Sequence, residues 1–407
     1  MAEHNTSGGQ LAVDGGQPVR TKPFPAWPIW GEREEQLLLE VLHSGNWGTL
    51  TGDKVTTFAA QFAAFQGARF GICVPNGTMA LELALRAVGV GPGDEVITTP
   101  YTFIATASAA LGLGAKPIFV DIDPATGNLD PAQVAPAITS RTKAILPVHI
   151  GGNPADLDGL LDVANQHGIP VVEDACQAWG AAWRGRPVGA IGALGTFSFQ
   201  ASKNVTAGEG GIVVTNDDAL HDRCWSLHNV GRVRDGAWYQ HEILGWNFRL
   251  PEWSGAILIA QLERLPDHMP IREAAARYLD EAFADLPGIT PLATDPRVTR
   301  HARHLYLARY DAASFGGHPR SDFLAALRAE GIVGVSAGYV PLTKSPAIHR
   351  SLTDLFGPSA IDEIAPCPAA DRAAAEIFWL PQHMLLEDQE GLDTIIAAIT
   401  KIQTAWR

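Results

Sequence analysis

Residues 197–211 read FSFQASKNVTAGEGG, and Lys203 stands at the centre of this run with no other charge before Glu209. A lysine at a strand edge ordinarily extends its ammonium into water or pairs with a carboxylate. Here the neighbours are small, with hydroxyls at Ser198 and Ser202 and a glycine-rich turn behind. Partial desolvation disfavours the charged amine, and a neutral amine condenses with a carbonyl to a Schiff base. The plainer reading, a solvated surface lysine, fits this setting less well.

Three further segments carry compatible chemistry. VPNGTMALELAL (74–85) passes from a strand-like entry through Asn-Gly-Thr into an amphipathic helix. The free N–H groups and dipole of a helix start favour a phosphate, and Gly77 lets the backbone come close. Taken singly, the stretch reads as an ordinary capped helix. VVEDACQAWGA (171–181) sets Asp174 at the end of a buried strand, where an unpaired carboxylate is costly. Such a carboxylate either caps the next segment or holds a proton on a heterocyclic nitrogen. TPYTFIATASA (99–109) follows a strand and offers an aromatic that either joins the core or stacks on a flat ring. In chain order, a phosphate cradle, a ring stack, a carboxylate and a reactive lysine are the parts that pyridoxal 5′-phosphate requires.

These stretches, with GPGDEVITTPYTF and GWNFRL, make the chain resemble the DegT/StrS sugar-aminotransferase group of fold-type I enzymes from about Leu11 onward. The resemblance implies that Lys203 carries the cofactor and then shuttles a proton. It implies that Asp174 pairs with the pyridine nitrogen, Gln177 lies near the phenolic oxygen and Phe103 stacks on the ring. Gly77, Thr78 and Ser198 would hold the phosphate. Asn247 resembles the residue that reaches the phosphate from the neighbouring subunit, which implies a homodimer with shared active sites.

Nucleotide-sugar members commonly read Pro-Val-His-x-Tyr-Gly after the third strand. This chain reads PVHIGG (147–152), with Gly152 taken to stand in place of the tyrosine. GGQPVRTKPFPAWP, FSFQASK and WLPQHMLL (379–386) resemble instead the branch of L-glutamine:scyllo-inosose and 2-deoxy-scyllo-inosose aminotransferases and 3-amino-5-hydroxybenzoate synthase. The expectation is amination of a cyclitol ketone by L-glutamine, in aminocyclitol antibiotic biosynthesis. His149 is the candidate for touching substrate, with a structural histidine as its alternative. Rival readings are a nucleotide-linked keto-sugar aminotransferase, a 3-amino-5-hydroxybenzoate synthase-like enzyme and a regulatory protein that only binds the cofactor. Dehydratase relatives lack the lysine, so Lys203 argues against that class.

Around these residues, short β-rich runs (95–100, 116–122, 143–150, 170–175, 195–200, 210–216) alternate with helical patterns at 78–89 and 155–168. Several runs are apolar throughout, as in strands buried on both faces. The pattern predicts an α/β domain with a mainly parallel sheet. Beyond about residue 260, helices at 272–286, 322–331 and 390–406 with a strand at 304–310 predict a smaller α+β C-terminal domain. The expected division is an extended arm (1–28), a large cofactor-binding domain (29–260) and a small domain (261–407).

The 407 residues are 46% hydrophobic with a net charge of −14, and no lysine- and arginine-rich run is present. Nucleic acid and anionic membrane surfaces are therefore poor partners. No apolar stretch approaches the ~20 residues of a bilayer span. Four scattered cysteines without a C-x-x-C pair suit a reducing compartment, and the cytoplasm is expected. HARH (301–304) lacks accompanying metal ligands, DIDPATGNLD (121–130) has Ala125 at the fifth position of a calcium loop and its glycine at the seventh instead of the sixth, and no metal is expected.

Overall fold

In the computed structural model, which describes residues 9–407, the apolar runs pair into one seven-stranded sheet. Its order is Phe70–Val74, Gly211–Thr215, Leu194–Ser198, Val172–Asp174, Thr142–Leu146, Glu95–Thr98, Lys116–Phe119. Two isolated parallel bridges, Ile145 with Val171 and Val148 with Asp174, join its four-stranded and three-stranded parts. Only Gly211–Thr215 runs against its neighbours. Helices cover both faces, so Leu194–Ser198 and Gly211–Thr215 are buried at every position and show no polar alternation. The helix Gly77–Ala87 begins where Asn76 accepts the Met79 N–H with its side chain, and it buries Leu81 and Leu85 against the sheet.

The C-terminal part has its own antiparallel sheet, Ile289–Pro291, Leu305–Tyr310 and Ile377–Pro381. Tyr306, Tyr310, Phe315, Phe323 and Phe378 form its centre, and the helices Arg320–Ala329 and Gln389–Trp406 close it. The expected helix at 272–286 is the second half of a 33-residue helix, Glu252–Ala284, which passes unbroken through residue 260. Pro266 and Pro270 lie inside it, and each removes a helical N–H. Tertiary packing overrides that local cost. Ala256, Ile259 and Leu262 join the core of the large sheet, while Ala276, Leu279 and Phe283 join the C-terminal core.

The proline-rich arm is strapped to the C-terminal part by buried charge. The carboxylate of Glu330, fully buried, accepts the N–H groups of Ala12 (2.8 Å) and Val19 (3.0 Å) and the Lys401 ammonium (2.9 Å). Arg20 is also buried; it pairs with Glu387 and lies 3.8 Å over the Phe24 ring. Glu330→Ala strands these donors together, and the expected loss is about 3 kcal/mol. The check is a lower urea midpoint at an unchanged m value, with earlier proteolysis of the arm; an unaltered midpoint contradicts the strap.

Candidate active site

Asp174 ends its strand with its backbone fixed on one side by the neighbouring segment: its N–H donates to Pro147, and His149 donates back to its carbonyl. The side chain is buried. Its Oδ2 accepts the Thr106 hydroxyl (2.8 Å) and its Oδ1 the Cys176 N–H (3.2 Å). Thr106 comes from the segment singled out for its aromatic residues. In that segment Phe103 is 57% exposed, with its ring uncovered by the protein.

Lys203 lies in the loop between Leu194–Ser198 and Gly211–Thr215, one strand over from Asp174. The loop is well tied: Thr206 Oγ1 donates to Phe199 O (3.0 Å), and Asn204 Nδ2 to Ala302 O (2.9 Å). Trp27 Nε1 donates to Ala201 O (3.1 Å). Among the described residues the Lys203 amine has no hydrogen-bond or ion-pair partner; Nζ sits 5.9 Å from the Trp179 ring. Burial pushes its pKa down from the ordinary 10.5, against the opposing pull of Cys176 and Asp174. Ser202 is turned away, its hydroxyl on Gln200 Oε1 (2.8 Å).

Two glycines bring the helix start to this loop. A Cβ on Gly211 would stand 2.5 Å from the Asn76 carbonyl, and one on Gly77 would stand 2.7 Å from Ser198 Cβ. The first turn of Gly77–Ala87, with Thr78 exposed, therefore presses against the end of the strand that carries Ser198. Backbone N–H groups and a hydroxyl converge there, as an anion requires.

Gln177 is held at both ends: Oε1 accepts the Gly151 N–H (2.7 Å) and Nε2 donates to Tyr339 Oη (2.9 Å). Tyr339 was not evident in the sequence. It is 162 residues from Gln177, and only the Gly338-Tyr339 pair ahead of Pro341 marks a turn there. Burial raises its hydroxyl pKa above the usual tyrosine range. Asn247 is exposed, bridged to Asn229, on a surface shared with the exposed Trp238, Tyr239 and Leu244.

His149 does not line the site. Its ring is fully buried, with Nε2 on Glu173 Oε2 (3.1 Å) and Nδ1 accepting the Ala155 N–H (3.0 Å). With both nitrogens engaged and no exposed surface, it braces the strand ends and leaves nothing for substrate. Glu173, equally buried, accepts N–H groups from Gly189, Ile191 and Gly192 as well.

Residues 28–400 match the DegT/DnrJ/EryC1/StrS aminotransferase family. The chain belongs to that family. It is 38% identical to the L-glutamine:scyllo-inosose aminotransferase of Streptomyces griseus, over 96% of this chain and 97% of the relative. It is 39% identical to the 3-amino-5-hydroxybenzoate synthase of Amycolatopsis mediterranei, over 91% and 94%. The crystal structure of a 3-amino-5-hydroxybenzoic acid synthase superposes with a TM-score of 0.86 at 36% identity, covering 95% of this chain and 99% of that one. The protein is thus an aminotransferase with the fold-type I architecture.

Burial alone would raise the Glu173 pKa, but the hydrogen bond from His149 and the N–H groups of Gly192 and Gly189 outweigh it and hold it below the ordinary 4.5. A depressed carboxylate stabilises the fold above its unfolded value, and that contribution is lost as pH falls through the lower folded value. Glu173→Gln is therefore expected to cost about 2 kcal/mol near neutral pH, with the gap from wild type narrowing on acidification below 4.5. Urea midpoints at the two conditions check this; a gap that widens in acid contradicts it.

Proposed function

We propose that this aminotransferase uses pyridoxal 5′-phosphate to move an amino group from L-glutamine to a cyclitol ketone such as scyllo-inosose or 2-deoxy-scyllo-inosose. The observation that carries the reading is the unpartnered, pKa-depressed amine of Lys203 in the pocket that also holds Asp174. The residues fit the cofactor. A bare glycine and Ser198 at a helix start suit its phosphate, a buried carboxylate suits its ring nitrogen, and the uncovered face of Phe103 suits a planar ring. When bound, the cofactor supplies an electron sink for charge developing at the donor α-carbon.

The remaining work falls to the chain. Asp174, oriented by Thr106 and the Cys176 N–H, keeps the proton on the ring nitrogen. Lys203 would hold the cofactor covalently through its amine and, when that amine is free, would serve as the base that takes the donor α-carbon proton and returns it to the cofactor. Gly77, Thr78 and Ser198 hold the phosphate, and Gln177, fixed by Gly151 and Tyr339, addresses the phenolic oxygen. Asn247 completes the phosphate site of a second copy, and the exposed Trp238 (57%), Tyr239 (84%) and Leu244 (80%) beside it support a homodimer. Four free cysteines and the lack of a helix long and apolar enough to cross a membrane among the described residues support a cytoplasmic setting.

The cyclitol assignment rests on relatives and on packing. Besides the Streptomyces griseus protein, L-glutamine:2-deoxy-scyllo-inosose aminotransferases are 37% identical over 96% of the chain. Counted from Pro147, the tyrosine of nucleotide-sugar members falls on Gly151 and not on Gly152; Gly151 has φ +60°, and a Cβ there would stand 2.2 Å from Leu307 Cδ1. The strand Leu305–Tyr310 occupies that space, so a tyrosine has no room there. A 3-amino-5-hydroxybenzoate synthase-like enzyme is the second reading, because that synthase is as similar as the cyclitol enzymes.

Borohydride reduction of the cofactor-loaded protein, followed by peptide mapping, is expected to label Lys203. Lys203→Ala is expected to lower turnover about a thousandfold or more. Label on another lysine, or wild-type turnover by the variant, overturns the assignment. In a panel of keto acceptors with L-glutamine as donor, scyllo-inosose or its 2-deoxy form is expected to turn over fastest. Preference for a nucleotide-linked ketone contradicts the substrate reading.

A further inference from the structure

The long helix Glu252–Ala284 carries a buried cation that the site as described does not use. Arg272 is wholly buried, and its Nε and Nη2 both donate to a single neutral acceptor, Gln382 Oε1. Its Nη1 meets no acceptor among the described residues, and neither does Nε2 of Gln382, a side chain that is itself buried. No carboxylate pairs with the guanidinium, whose pKa is pushed down to about 9 by burial. A guanidinium withdrawn from water is ordinarily matched by a carboxylate or phosphate, and here two donors stand without one. The Trp27 ring lies 5.5 Å from Cζ. Burial first, with the charge of Arg272 as a further cause, holds His268 and His383 below the usual histidine range; at His304 burial and the charge of Lys203 come ahead of Arg272.

Two separate paths place this cation behind the lysine loop. His304 bonds Asn204, the residue after Lys203, and packs edge-on against Trp179, the ring nearest Lys203 Nζ. Gln382 directly follows Pro381, which pairs with Leu305, the residue after His304. On the other side, Trp27 spans from Arg272 to the carbonyl of Ala201, two residues before Lys203.

We propose that Arg272 Nη1 and Gln382 Nε2 together bind the α-carboxylate of the amino donor, with the half-buried Trp27 ring as the cover that shifts to admit it. The inference rests on the aminotransferase reading above and names the group that recognises the donor. Two adjacent donors, one of them charged, match the two oxygens of a carboxylate. A cyclitol ketone carries hydroxyls and no charge, so it lacks the anion that this site would pair. One pocket can then receive two unlike substrates in turn, the donor selected by its charge and the acceptor by its shape.

Gln382→Glu tests this with almost no change in volume, because it supplies the missing anion from within the chain. The variant is expected to unfold at a higher temperature than wild type. The L-glutamine concentration that half-bleaches the visible band of its cofactor-loaded form is expected to rise about tenfold or more. Amination of a keto acceptor, started from the pyridoxamine-loaded form, is expected to stay within about twofold of wild type, because that half-reaction brings no carboxylate to the site. Gln382→Leu, which removes Nε2 without adding charge, should shift the donor requirement in the same direction by less. Wild type should also discriminate strongly against 4-aminobutanamide, the carboxylate-free analogue of glutamine, and Gln382→Glu should discriminate far less. An unchanged donor requirement in both variants, or equal losses in both half-reactions, overturns the proposal. The donor half-reaction needs no acceptor, so failure of every cyclitol ketone would remove the substrate reading while leaving this test intact. Failure of every amino acid to bleach wild type would remove both.

Discussion

An amine whose charged form is disfavoured by burial, held beside a carboxylate, needs a pocket that is apolar around one and polar around the other. The rest of the structure follows from that constraint. Neighbouring strands lie about 4.8 Å apart, so residues at the ends of adjacent strands are brought together without special loops. Asp174 ends one strand, and Lys203 follows the end of the next. Thr106 and a backbone N–H satisfy the carboxylate, while the Lys203 amine faces the Trp179 ring. The helix start at Gly77 arrives at the same edge because Gly77 and Gly211 carry no side chain. A crevice at the carboxyl ends of parallel strands is where open α/β sheets bind ligands.

The C-terminal part does more than cap this crevice. Leu307 walls the space beside Gly151, Tyr339 fixes Gln177, His304 backs the lysine loop through Asn204, and Gln382 meets Arg272. All four come from the small antiparallel sheet or the segments beside it. The arm adds Trp27 to the loop and is itself anchored by Glu330 and Arg20. Site assembly and the packing of the C-terminal part on the large sheet are therefore one event.

What the sequence made legible was local. The buried strands announced themselves as short apolar runs, and Lys203, Asp174 and Gly77 stood in segments whose composition pointed to their chemistry. The relations that escaped notice are long-range or contrary to local rules. Tyr339 and Gln382 are remote in sequence from the groups they meet, so no spacing could pair them. The helix across residue 260 contains two prolines, and packing rather than propensity sustains it. His149 stood beside the predicted site at a strand end, where alternation cannot say which way a side chain turns; burial against Glu173 turned it inward.

The most direct measurement is the absorbance spectrum of the cofactor-loaded protein as L-glutamine and then scyllo-inosose are added. The account predicts a visible band from cofactor held by Lys203, bleached by the amino donor and restored by the ketone. A visible band that no amino donor alters, or no band after incubation with pyridoxal phosphate, would contradict it.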